Sequence, residues 1–225
     1  PITLAITASP WSISSLEICA MAQESIGRLF PGCQAVPVPV ADGGEGTVDC
    51  FLQAIQAEPV TCDVTGPYGE AVQAVYCRAG DRAVMEMAAA AGLPMVDGRL
   101  DPAHTTTYGV GQMIRHAVEQ GCTEILLGLG GSCTNDGGCG CAAALGTRFL
   151  RADGSAFVPV GAELDQIARI DRSETEELLK GVRIAVMCDV DNPLYGPRGA
   201  AHVFGPQKGA DRARGELRDG QRMGF

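Results

Sequence analysis

The sequence predicts an α/β protein, on three observations. Residues 2 to 55 alternate strand and helix patterns, the order that builds a parallel sheet. Short apolar segments separated by turn sequences follow, which adds an antiparallel section. Thirty glycines against 5% aromatic residues supply tight turns and close backbone approaches rather than large stacking surfaces, as loops around a small ligand require. The 225 residues, 46% hydrophobic and 20% charged, suffice for one large domain or two small ones.

Ile2 to Thr7 reads as a short buried strand. Ser14 and Glu17 have capping-box spacing for a helix with Ile18, Met21, Ala22, Ser25 and Leu29 on one face. Ala35 to Val40 reads as the second strand, and Val48, Phe51, Leu52 and Ile55 recur at helical spacing after the loop Ala41 to Gly46. Pro59 to Val64, Ala71 to Cys77 and Arg82 to Met87 are short strands separated by Gly-Pro-Tyr-Gly and Ala-Gly-Asp, with the antiparallel section beginning near Thr65. A helix from about Thr107 to Gln120 leads into an apolar strand, Glu124 to Gly128, a glycine-rich loop and an alanine-rich helix. Arg183 to Cys188 is the last strand.

Net charge excludes one class of partner. At −10, with no cluster of lysine or arginine, the chain repels a nucleic-acid backbone. An anionic small molecule still binds where local backbone N–H groups and a few cations act at contact distance. Ten cysteines in a chain of this length, without a secretory signal before them, read as reduced thiols in the cytoplasm. Cys133, Cys139 and Cys141 lack zinc-knuckle spacing and a nearby histidine, so they read as small buried residues rather than ligands. The apolar runs are too short to span a bilayer, and Pro1 implies that at least an initiator residue precedes it.

Three loops sit at strand ends, where α/β sheets place their ligands. In Asp42-Gly43-Gly44-Glu45-Gly46-Thr47 the glycines admit close approach, a helix starting at Thr47 aims its N–H groups into the same space, and Asp42 or Glu45 suits Mg²⁺ or a hydroxyl proton. The alternative is a turn in which Asp42 caps the helix. Gly130 to Gly138 sets Ser132, Thr134, Asn135 and Asp136 among glycines able to wrap a phosphate. No Gly-Lys-Ser/Thr makes it a Walker loop, Gly138, Gly140 and Ala143 stand too far from the strand for a dinucleotide fingerprint, and the alternative is a tight crossover. Cys188-Asp189-Val190-Asp191-Asn192-Pro193-Leu194 offers two carboxylates, and Phe204 to Ala210 offers Lys208 to offset phosphate charge; each also reads as a solvated turn.

The segments at 41–47, 130–138, 188–194 and 204–210, with Val-Thr-Gly-Pro-Tyr-Gly at 64–69 and Met-Ala-Ala-Ala-Ala-Gly-Leu at 87–93, resemble bacterial-type glycerate kinases in that order. The resemblance runs to about Asp211 and implies a two-domain architecture with the active site in the cleft. It divides the chain into a parallel α/β first segment at 1–65, incomplete here, a mixed α/β middle domain at 66–205, and the start of a return segment with a divergent tail at 206–225. It also implies phosphorylation of D-glycerate by Mg-ATP, usually at the 2-hydroxyl, giving 2-phosphoglycerate, with 3-phosphoglycerate as the other regiochemistry. On it, Asp42 and Asp189 become the acid–base and Mg²⁺ candidates. Gly43, Gly44, Glu45, Gly130, Gly131, Ser132, Thr134, Asn135, Asp136 and Lys208 become the substrate or phosphate contacts. A cytoplasmic enzyme with no nucleic-acid or membrane partner is expected, and self-assembly is compatible with it.

Two departures stand out. The family carries Asp-Ser-Phe-Lys-Gly-Ser after its first strand, where this chain reads Thr7-Ala8-Ser9-Pro10-Trp11-Ser12. The family's later glycine-rich and Gly-Glu-Gly-Arg-Ile-Asp segments do not appear before Phe225, and Arg212 to Phe225 departs from the family pattern. These departures favour a competing expectation, a catalytically inactive binding protein or truncated fragment of the family fold. A hydrolase has less support, because no Gly-x-Ser-x-Gly elbow is present and His104, His116 and His202 have no evident nucleophile.

Overall fold

The computed structural model describes residues 2–6, 15–96, 98–193 and 196–210. The segment Thr7 to Ser12, the Ser14 cap, Leu194 and the tail Arg212 to Phe225 lie outside the described residues.

The chain opens with β1 (Ile2–Ile6), α1 (Ser15–Leu29), β2 (Ala35–Pro39) and α2 (Thr47–Ala54). As the alternation predicts, β1 and β2 pair in parallel, from Ile2 opposite Ala35 to Ile6 opposite Pro39. This sheet has two strands only among the described residues, so it offers α1 little to pack against. Ser15 and Cys19 are the buried residues of α1, whereas Met21 and Leu29, on the expected apolar face, are 58% and 68% exposed. Val36 and Val38 of β2 are 38% and 40% exposed, and a groove of about 740 Å³ lies between Leu16, Cys19, Pro37 and Ala54. A small parallel sheet with an uncovered apolar surface seeks a partner. The purified chain is therefore expected to self-associate; a compact monomer on size-exclusion chromatography, with slow amide exchange throughout residues 15–55, would contradict this.

Next come β3 (Glu58–Thr65), β4 (Ala71–Ala79), β5 (Arg82–Glu86), α3 (Ala88–Ala91), α4 (Tyr108–Glu119) and β6 (Glu124–Gly128). They are followed by α5 (Cys139–Ala144), β7 (Arg148–Leu150), β8 (Ala156–Phe157), β9 (Arg169–Asp171), α6 (Ser173–Leu178), β10 (Arg183–Met187) and α7 (Ala200–Phe204). Five strands form one sheet in the order β10-β6-β5-β4-β3. Its β10, β6 and β5 run parallel, while β4 and β3 add antiparallel pairs. The segment expected to close the first unit, Glu58 to Thr65, is hydrogen-bonded along its whole length to β4 in this middle sheet. The small sheet β8-β7-β9 was not legible in the sequence, because strands of two and three residues are too short to show alternation.

Period-two alternation assigns the two faces of the sheet. Ala83 and Met85 of β5 join Tyr76, Ile125, Met113 and Ile114 in the larger core, under α4. Val84 points the other way and meets Val48, Phe51 and Leu52 of α2. The first segment is thus fastened to the middle sheet through α2.

Candidate functional site

The parallel strands β5, β6 and β10 end level with one another, at Glu86, Gly128 and Met187. The 42–46 loop lies across these ends. The Gly130 N–H donates to the Gly43 carbonyl at 3.0 Å, and the Leu129 N–H donates to the Met187 carbonyl at 3.3 Å. The packing excludes side chains here: a Cβ at Gly128 would stand 2.2 Å from the Gly43 oxygen, and one at Gly130 would stand 2.6 Å from the Gly44 Cα. Gly43 itself has φ +92°, and a Cβ there would meet the Met187 oxygen at 2.9 Å. Two glycine loops and the end of β10 therefore touch backbone to backbone.

A second set of bonds stitches the 130–134 loop to its surroundings. Leu93 N–H donates to the Gly131 carbonyl at 2.8 Å, and Cys133 N–H donates to the Ala91 carbonyl at 2.9 Å. From the turn Pro206–Lys208, the Lys208 ammonium donates to Ser132 Oγ at 2.6 Å and to the Thr134 carbonyl at 2.8 Å. Gly130, Gly131, Ser132, Asp189 and Lys208 line one cavity of about 250 Å³. Five of the expected residues are thereby brought together, from segments far apart in the chain.

Asp42 and Glu45 stand on the neighbouring loop and are exposed. Asp42 Oδ1 accepts the Gly44 N–H at 2.9 Å, an Asx turn inside its own loop rather than a cap on α2. Although Glu45 is exposed as a residue, partial desolvation of its carboxyl pushes it up from its ordinary value. Among the described residues no group of three or more His, Cys, Asp or Glu converges on a metal position. Exposed carboxylates at Asp42 and Asp189 nonetheless fit Mg²⁺, which takes one or two carboxylates and completes its shell with waters and substrate phosphates.

Two expectations are corrected. Asp136, expected among the substrate contacts, is 1% exposed, and its carboxylate is taken up by the chain itself. Oδ2 accepts the Thr107 N–H and hydroxyl, both at 2.8 Å, and the Gly140 N–H at 3.1 Å, while Oδ1 accepts the Gly138 N–H at 2.9 Å. It holds the loop and the starts of α4 and α5. The second correction concerns α2, whose first N–H groups were expected to face a ligand. The Val48 N–H instead donates to Glu86 Oε1 at 2.6 Å. Thr134 is buried and meets Lys208 through its carbonyl, and Asn135 is half-buried.

Glu86 is the residue that sequence reading missed. It is 9% exposed at the end of β5, and burial raises its carboxyl above the ordinary value, with Asp49 and Glu45 adding repulsion against the Val48 N–H bond. The signal was its parity with Val84, which places an acid on the α2 side of an otherwise apolar strand.

Comparison with known proteins sets this geometry in context. The model of the Glycerate kinase family matches residues 4–222. A glycerate kinase of Bacillus cereus is 46% identical over 203 residues, 89% of this chain and 53% of that protein. Glycerate 2-kinase of Escherichia coli K12 is 45% identical over 205 residues, 90% of this chain and 54% of that protein. A crystal structure described as glycerate kinase 2 from Salmonella typhimurium LT2 superimposes with a TM-score of 0.85 at 43% identity, covering 98% of this chain and 60% of the other. The chain spans about half the length of the curated relatives it matches.

Proposed function

The chain belongs to the glycerate kinase family, and from that premise we propose that the protein transfers a phosphoryl group from ATP to D-glycerate, with Mg²⁺, giving 2-phosphoglycerate. The observation that carries the reading is the meeting of Gly130, Gly131, Ser132, Asp189 and Lys208 in one cavity against the 42–46 loop. The 2-hydroxyl is chosen because the Escherichia coli relative is a glycerate 2-kinase. We further place the cleft between a first unit, residues 1–57 with the return segment from 206, and the middle unit, 58–205, since β3 pairs with β4 in the middle sheet.

The transition state of phosphoryl transfer is loose, so the protein's work is positioning and charge stabilisation. The 2-hydroxyl oxygen attacks the γ-phosphorus as the bond to the β-phosphate oxygen breaks. Of Asp42 and Asp189, one accepts the hydroxyl proton and the other holds Mg²⁺, whose charge, when bound, offsets that of the phosphates. The Gly131 N–H and the Ser132 hydroxyl orient the anion and Lys208 neutralises it, whereas the Gly130 N–H, also expected in this role, is taken by the Gly43 carbonyl.

A coupled assay on the purified protein tests this directly. ADP formation dependent on D-glycerate is expected, with ³¹P NMR showing the phosphomonoester at C2. Absence of D-glycerate-dependent ADP release would overturn the reading. Lys208→Ala is expected to weaken nucleotide or glycerate binding about tenfold or more by isothermal titration, because it removes a charge-assisted donor. Unchanged affinity would remove Lys208 from the site.

A further inference from the structure

Helix α2, which follows the 42–46 loop, is capped from outside its own segment. Its N-cap residue, Gly46, has φ +87° and no side chain to offer; the Thr47 N–H donates to the Gly44 carbonyl at 3.3 Å, and the Val48 N–H is left for an acceptor from elsewhere. Glu86, 38 positions later in sequence than Val48, supplies one: Oε1 accepts the Val48 N–H at 2.6 Å. Thr47 is fully buried, and its hydroxyl donates to the Gly44 carbonyl at 2.7 Å, which joins the first turn of α2 to the 42–46 loop. On the backbone side, Glu86 lies level with Gly128 across β5 and β6, and the next residue, Met87, donates its N–H to the Gly128 carbonyl at 2.9 Å. One residue therefore reaches the 42–46 loop through its side chain while its strand end is bonded to the root of the 128–132 loop.

We propose that Glu86 is a positioning residue of the candidate site: its carboxylate clamps the start of α2 and so sets where the loop bearing Asp42 and Glu45 meets Gly128 and Gly130. The proposal rests on the reading of these loops as the ligand site. Three features of its setting work against a charge at Glu86, namely burial and the nearby carboxylates of Asp49 and Glu45. The bond does not depend on that charge, because a carboxyl oxygen accepts the Val48 N–H in either protonation state. The clamp also accounts for why α2 offers its Val48 N–H inward rather than to a phosphate.

The test compares Glu86→Gln, which keeps an acceptor oxygen of the same reach, with Glu86→Ala and the shorter Glu86→Asp. Amide exchange measured without ligand should rise about tenfold or more over residues 43–50 in the Ala variant, the size of a lost helix cap, with β4 and α4 unchanged. Glu86→Gln should stay within about threefold of the parent. If Glu86→Ala does not fold, Glu86→Asp is expected to show the same local opening. Binding of Mg-ADP and of D-glycerate should weaken in parallel with the opening and recover in Glu86→Gln. Unchanged exchange at 43–50 would overturn the clamp, and opened exchange with unchanged binding would overturn its role in positioning. Should the parent bind neither compound, the functional reading fails, while the exchange data still decide whether Glu86 holds the loop.

Discussion

Asp189→Asn is expected to lower kcat of the protein by about 10²-fold or more while leaving the fold intact, and Asp42→Asn is expected to do the same. Each substitution keeps the shape of the side chain and removes the charge on which a proton acceptor or a Mg²⁺ ligand depends. Neither carboxylate is buried, so the substitutions leave no orphaned core group behind. Asp189 shares its cavity with Ser132 and Lys208, whereas Asp42 approaches from the adjoining loop, where one of its oxygens accepts the Gly44 N–H. Steady-state kinetics with thermal unfolding as a control checks both. If both Asn variants keep near-parental kcat, the assignment of the two carboxylates is wrong; a loss at Asp189 alone would confine the chemistry to the 250 Å³ cavity.

The second large effect is on stability. Asp136→Ala is expected to destabilise the protein by about 4 kcal/mol or more, since hydrogen bonds to a charged group contribute about 1.5–3 kcal/mol each and unsatisfied buried donors add to the loss. Four donors converge on this carboxylate, from Thr107, Gly138 and Gly140. Thr107 stands at the start of α4, and its hydroxyl also accepts the Cys141 N–H at 2.9 Å, so one side chain fastens α4, α5 and the glycine loop. In a chain of this size such a loss lowers Tm by about 8 °C or more. Circular dichroism melts measure it. A Tm within about 2 °C of the parent would show that the donors find other partners. Asp136→Asn is expected to fall in between, because it replaces one acceptor oxygen by an amide that faces donors.

Much of this protein was legible in the sequence because its signals are local. Strand and helix periods marked β1 to β6 and β10, and runs of glycine with small polar residues marked the two loops at strand ends. The parallel pairing of β1 with β2 follows from the alternation of strand and helix, since a helix between two strands carries the chain back to run in the same direction. The resemblance to the family rested on those loops together with the segments at 64–69, 87–93, 188–194 and 204–210.

Tertiary structure decided which of the polar groups in the loops face inward. Asp136 and Asp189 look alike as acids in strand-end loops, yet one is engulfed by four donors and the other lines a cavity. Lys208 reaches Ser132 across 76 positions in sequence, and Val48 finds Glu86 across 38, contacts that exist only because β5, β6 and β10 end in register. No local pattern encodes such partners. A glycine run states that a backbone is free to approach something, but what it approaches is set by the register of strands and the packing of helices from other parts of the chain. A carboxylate becomes a ligand or a structural anchor according to the donors those elements bring to it.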